Sequence, residues 1–247
     1  MPNWVMNKLV LTGKDANKVA DRILSQDKET KKEYMNFNNI DKMPDTLNVI
    51  CGSCTLPAAD YYLAAINPDS TVKHEGYDKL GEREFLHTIE QANACVGNGE
   101  RRLSGKNEFG VTEADFSSFG GEKAYLKYGK IIVENRINFK ASTWYEWSRE
   151  HWGVKWNASE SRVTRETDEV IIYFETPWNG VPGLMRTLGE LVQQSDVTID
   201  YDYSEEQEGY MDFHMKMKNG RLVDIRDYEM DSKEAIRHYN EIWGYAG

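Results

Sequence analysis

Apolar and polar residues follow two rhythms along this chain, and those rhythms predict most of its elements. Residues 4–11, WVMNKLVL, read as a strand that Gly13 ends. Ala16, Val19, Ala20, Ile23 and Leu24 then recur at helical spacing. Residues 26–44 are polar, with a turn near Pro44, and TLNVI at 46–50 is a short strand candidate. Ala58, Tyr61, Tyr62 and Ala65 mark a helix that ends before Pro68. Phe85, Ile89, Ala92 and Val96 mark another, stopped at Gly97-Asn98-Gly99. Residues 97–123, rich in Gly, Ser and charge, read as an irregular connection. Residues 124–139 are amphipathic in a way that fits helix and strand equally.

The second half is more regular. Thr143 with Glu146 is a capping-box pattern, and it predicts a helix that carries Trp144, Trp147 and His151 on one face and stops at Gly153. Val154 and Trp156 begin a strand by alternation. EVIIYFE at 169–175 is a buried-strand candidate. Pro182 suits the first turn of a helix whose apolar face is Leu184, Leu188, Leu191 and Val192. Val197, Ile199, Tyr201 and Tyr203 alternate with Thr198, Asp200 and Asp202, and Met211, Phe213, Met215 and Met217 alternate likewise. Asn219-Gly220 is a hairpin turn, with a return strand at 222–225. Asp231 and Glu234 can cap a last helix with Ala235, Tyr239 and Ile242 facing inward. Strand, strand, helix, strand, strand, strand, helix from Trp156 onward is an α+β layout.

Four of the seven tryptophans fall between Thr143 and Trp156. The segments WYEW, HWGVKW and FETPW, the opening PNWVMNKLVLTG and the Lys42-Met43-Pro44 triplet resemble an uncharacterised family found in phages, plasmids and integrated mobile elements. That family is described by a C-terminal YubB-like, ferredoxin-like domain. The resemblance covers the first dozen residues and about 143–225. It implies a ferredoxin-like sandwich at 141–247, an antiparallel sheet with helices on one face. An N-terminal α+β or helical region at 1–140 would be packed on it or inserted before it. It implies carriage on a mobile element and no catalytic residue.

Composition narrows the function. With 41 Asp and Glu against 30 Lys and Arg, the net charge is −11, so the phosphate backbone repels the chain and direct nucleic-acid binding is not expected. A chain of 247 residues can bury a sizeable core, its apolar runs are too short for a membrane span, and the N-terminus does not read as a signal peptide, so a cytoplasmic location is expected.

Four constellations could carry chemistry. Cys51-Gly52-Ser53-Cys54 stands before a helix candidate, where a helix N-terminus stabilises a thiolate. Cys51, Cys54, His87 and Cys95 include the donor types of a Cys₃His zinc site, but no second CxxC accompanies them. His151 with Glu146 and Glu150 could act as a general base, or simply meet the carbonyls of a helix end. Asp196, Asp200, Asp202, Glu205, Glu206, Glu208 and Asp212 make an acidic strand and loop, a solvated face or a surface for a basic partner. Walker, dinucleotide, HExxH and GxSxG patterns are missing from the sequence.

The expected function is therefore stoichiometric protein binding by a cofactor-free accessory protein. Its partner would be a host or element protein with a basic surface, such as a nucleic-acid-binding defence complex, and Asp200, Asp202, Glu205, Glu206 and Glu208 would carry the contact. A thiol-redox or zinc-dependent activity at Cys51 and Cys54, and an element-maintenance role, are the alternatives.

Overall fold

The computed structural model describes residues 2–66 and 113–244. Eight strands and seven α-helices occur among them: β1 (Trp4–Thr12), α1 (Ala16–Ile23), β2 (Leu24–Gln26), β3 (Glu33–Met35), α2 (Thr55–Ile66), α3 (Glu113–Ser118), α4 (Glu122–Phe139), α5 (Trp144–His151), β4 (Ser159–Arg165), β5 (Glu169–Pro177), α6 (Pro182–Leu191), β6 (Thr198–Glu205), β7 (Asp212–Lys218), β8 (Arg221–Asp227) and α7 (Lys233–Trp243). The chain forms two compact units, 1–43 with 148–247, and 44–147.

The first unit is built on a six-stranded antiparallel sheet in the order β4-β5-β1-β6-β7-β8. Within it, β1, α1, β4, β5, α6 and β6 form a βαββαβ unit with sheet order β4-β5-β1-β6, which is the ferredoxin-like arrangement. Its first strand and helix therefore come from the extreme N-terminal part of the chain, and residues 44–147 enter between α1 and β4. The sequence reading puts the ferredoxin-like domain at 141–247. The pairing of β1 with both β5 and β6 makes residues 4–23 part of it.

One face of the sheet is apolar because β1, β6 and β7 alternate. Leu9, Leu11, Ile199, Tyr201, Met215 and Met217 point to it, together with Val170, Ile172 and Phe174 of β5. Helix α1 buries Ala16, Val19, Ala20 and Ile23, as its spacing predicts, and α6 buries Leu184, Met185 and Leu188. A polar chain runs through this core. The Asn7 amide donates to the Val5 and Phe174 carbonyls and to Thr176 Oγ1; the Tyr201 hydroxyl donates to Asn7 Oδ1 at 2.6 Å and accepts from the Val181 amide at 2.7 Å. Helix α7 lies against the other face, where it covers Met6, Ser204 and Asp212.

The second unit packs α2 against α4 around Tyr61, Tyr62, Tyr125, Tyr128, Ile132 and Val133. Residues 124–139, which fit either rhythm in sequence, are helical. Gly129 lets the helices approach so closely that a Cβ there would lie 2.1 Å from the Ala58 carbonyl oxygen.

Several local expectations differ from the structure. TLNVI makes a 3₁₀ turn at Asp45–Leu47 in place of a strand, with Leu47 alone buried. Val154 and Trp156 lie in a loop, and β4 starts at Ser159. The cap of α7 is Ser232, whose Oγ accepts from the Ala235 amide at 3.0 Å; Asp231 is left-handed, with φ 58°. The capping box at α5 does not form as expected: Glu146 accepts from the Ser142 amide, one residue before Thr143, and the buried Thr143 hydroxyl has no hydrogen-bond partner. The helix candidate at 85–96 lies outside the described residues.

Candidate functional site: an ionic cluster beside an acid-rimmed apolar patch

The second face of the sheet is polar by the same alternation. Across β6 and β7, Asp202 stands opposite His214 and Asp200 opposite Lys216. His214 Nδ1 is 2.8 Å from Asp202 Oδ1, and the Lys216 ammonium is 2.6 Å from Asp200 Oδ2. On β8, Asp224 pairs with Arg226 at 2.9 Å and lies 3.7 Å from His214 Nε2. From α7, His238 reaches Asp212 Oδ1 with Nδ1 at 2.8 Å and Asp202 Oδ1 with Nε2 at 3.1 Å. The Tyr228 ring stacks on the His238 ring at 4.6 Å.

This geometry sets the protonation states. Burial opposes the charge on His238, but hydrogen bonds to Asp202 and Asp212 overcome it and raise its pKa to about 9. Burial also opposes the Asp202 carboxylate, and the two histidines overcome it and lower its pKa to about 2. The hydrogen bond to Asp202 raises the pKa of His214 against its own desolvation. The carboxylates of Asp200, Asp202, Asp212 and Asp224 thus face Lys216, Arg226 and the protonated His238, with His214 between Asp200, Asp202 and Asp224. The cluster neutralises itself and ties α7 to the sheet.

Asp200, Asp202 and His214 offer ligand atoms within 4.8 Å of one another, a set that suits a borderline cation such as zinc. A cation there would have to displace the Lys216 ammonium and compete for His214 with a proton that the Asp202 hydrogen bond favours. The residues fit an internal ion-pair network better than a metal centre.

Asp200 and Asp202 share a face, as their two-residue spacing predicts, but both are held in ion pairs. Glu205 is buried; its Oε2 accepts from the Gln207 amide and its Oε1 has no partner, so it is no part of an outward acidic surface. The β6–β7 loop turns there and takes its side chain inside. Glu206 and Glu208 are exposed. Cys51 is exposed and Cys54 half-buried, both free thiols just before α2; His87 and Cys95 lie outside the described residues. His151 pairs with Asp41 at 2.9 Å, and the Trp152 indole donates to the Asp41 carbonyl, so this histidine anchors the segment after α1. Trp147 and Trp152 are buried, with Trp152 edge-on to Phe37. Trp156 and the exposed Trp178 form a pair under the Lys155 ammonium.

Sequence reasoning missed both His238 and an apolar patch. His238 has a readable signal: it shares the Ala235 and Ile242 face of α7, where a histidine needs a buried partner. The patch comes from tertiary contact alone. The loop after β6 docks on the start of α7 through the Asp231 amide to the Gly209 carbonyl at 2.9 Å and the Tyr239 hydroxyl to the Glu206 carbonyl at 3.3 Å, with Gly209 packed closely against Ile236. Tyr210, Met230 and Ile236 remain 45%, 55% and 36% exposed on these docked segments. Exposed Glu206, Glu208, Glu229, Asp231 and Glu234 belong to the same segments, against Lys233 and Arg237.

Residues 151–246 match a family model described as a ferredoxin-like domain in Api92-like protein. The match begins after β1 and α1, the first two elements of the βαββαβ unit. The crystal structure of a protein api92 from Yersinia pseudotuberculosis is similar over 94% of this chain and 100% of its own, at 13% identity and a TM-score of 0.41. Comparison with curated proteins gives no match. The C-terminal part of the chain is thus similar to the ferredoxin-like domain of Api92-like proteins, an uncharacterised family.

Proposed function

We propose that this protein is a stoichiometric binding module whose partner is a protein with a basic rim around an apolar recess. The observation that carries the reading is the patch: an exposed tyrosine, methionine and isoleucine on two docked segments that also carry five exposed acidic residues against two basic ones. Aromatic residues and methionine are favoured at the centre of interfaces, and complementary charge at the rim speeds and orients association. A net charge of −11 adds long-range attraction for a basic partner. The ionic cluster beneath α7 holds the platform for the patch and leaves its own carboxylates committed.

A nucleic-acid-binding protein is the partner class with the required basic groove. Carriage on a mobile element and inhibition of a host defence complex are the narrower form of the same proposal. The test is recovery of partners from a lysate of the cell that carries the protein, comparing wild type with Tyr210→Ala/Met230→Ala and with Glu206→Gln/Glu208→Gln. A partner bound at fixed stoichiometry, lost with the first pair and bound with weaker salt dependence by the second, supports the reading. The same recovery by all three proteins removes it.

A further inference from the structure

The two edges of the sheet are treated differently. The β4 edge carries the β2–β3 hairpin: the Met35 amide donates to Ser161 Oγ, and Arg165 grips Glu33 at 2.6 and 3.0 Å and Asp21 at 3.0 Å. The β8 edge has no strand on its outer side among the described residues. Leu222, Val223 and Ile225 are exposed on it. An edge with unpaired backbone groups and apolar side chains is a template for another strand, and proteins block it with charged side chains, lysine above all, with proline or with a bulge. Strand β8, RLVDIRD, has no lysine or proline; its four charges alternate in sign, and its bulge, the extra residue Val223 between the Met217–Leu222 and Lys216–Asp224 pairs, leaves Asp224–Asp227 in regular register.

The strand is complementary to itself. After the bulge, Asp224 and Arg226 project to the polar face of the sheet, and Ile225 and Asp227 to the other. If β8 pairs antiparallel with β8 of a second copy about a twofold axis at Ile225, the two isoleucines meet, and each Asp224 faces the Arg226 of the other copy. Moving the axis to Asp224 sets that carboxylate against its own counterpart, and moving it to Arg226 does the same to the guanidinium. Placing it between residues pairs opposite faces. One register satisfies both charge and face.

We propose that the β8 edge is the contact for a second copy of this chain, through antiparallel β8–β8 pairing centred on Ile225. A ladder this short buries less than the roughly 1,200 Å² of a standard stable interface, so the dimer dissociates on dilution. The partner patch at Tyr210, Met230 and Ile236 is a separate surface, and neither proposal depends on the other.

Sedimentation velocity of the full chain over a wide concentration series tests it. Wild type is expected to pass from monomer to dimer. Asp224→Arg puts arginine against arginine, and Arg226→Asp puts aspartate against aspartate, so each is expected to weaken the dimer at least about tenfold. An equimolar mixture of the two variants restores opposite charges at both contacts and is expected to dimerise again. Arg226 is exposed and Asp224 is half-buried at the outer side of the ionic cluster, so far-UV circular dichroism checks that each variant folds; Ile225→Lys, at an exposed position outside the cluster, is the further variant expected to remain monomeric. A wild-type monomer at every concentration, a dimer indifferent to both charge variants, or a mixture without rescue would overturn the proposal. So would capture of an extended peptide of another protein in place of self-association.

Discussion

The His238 cluster sets how stability depends on pH. In the unfolded chain a histidine titrates near 6.5, and in the fold His238 titrates at about 9. Its ion pairs therefore contribute fully below pH 6.5, where both states are protonated, and are lost as pH rises through 9. The shift corresponds to about 3 kcal/mol, with a steepest slope near 1.4 kcal/mol per pH unit. The ring is only 8% exposed, so solvent screening removes little of this. The low pKa of Asp202 reflects its hydrogen bonds to both His214 and His238, and its His238 share is the same contact and is counted once. The perturbation is His238→Gln together with Asp212→Asn, because His238→Gln alone would leave the Asp212 carboxylate buried without its cation. Urea unfolding of both proteins between about pH 6 and pH 9.5 supplies the comparison, with the double variant cancelling the titrating groups outside the cluster. The wild-type advantage is expected to shrink by about 2 to 3 kcal/mol across that range. A difference that stays constant would refute the assignment of a doubly hydrogen-bonded, protonated His238.

Other consequences are simpler to check. Tyr201→Phe removes the hydroxyl that serves both Asn7 and the Val181 amide, leaving two buried groups unpaired, and is expected to cost about 2 kcal/mol in chemical denaturation. Gly129→Ala drives a methyl into the Ala58 carbonyl and is expected to destabilise the 44–147 unit by about 2 kcal/mol or more, seen as faster hydrogen exchange in α2 and α4 with the β1 and β6 amides unchanged. Residues 148–247 expressed alone are expected to remain unfolded by circular dichroism and to fold when joined by a flexible linker to residues 1–43; a stably folded 148–247 fragment would contradict the split βαββαβ unit. Cys51→Ser/Cys54→Ser is expected to change stability by less than about 0.5 kcal/mol and to leave partner binding intact.

What could be read in advance followed burial. Strands β6 and β7 were legible because one face of each is buried and the other polar, so every second residue declares its side. The Asn219-Gly220 turn was legible because both residues take positive φ, 50° and 71°, which this pair tolerates. Strand β1 was legible as a strand but not as the centre of the C-terminal sheet, since its partners begin at Glu169, far along the chain, and its own sequence does not encode them. The β2–β3 hairpin was hidden by its length: three residues a side carry no period, and Glu33 makes sense only beside Arg165. The acidic strand showed the charges of Asp200 and Asp202 but not their partners, because His214 and Lys216 meet them only through pairing and His238 only through the docking of α7. Tyr210, Met230 and Ile236 are apolar residues of ordinary spacing, and folding alone brings them to one surface.

The claim that binding resides at this patch, and not on the acidic strand, is tested most directly by site-specific photo-cross-linking in the cell that carries the protein. A photoreactive phenylalanine analogue replaces Tyr210 in one version and Asp200 in another. One dominant covalent adduct is expected from position 210, with the cross-linked partner peptide beside a basic surface, and it is expected to be lost on adding Glu206→Gln/Glu208→Gln. An adduct from position 200 with none from position 210 would contradict the claim.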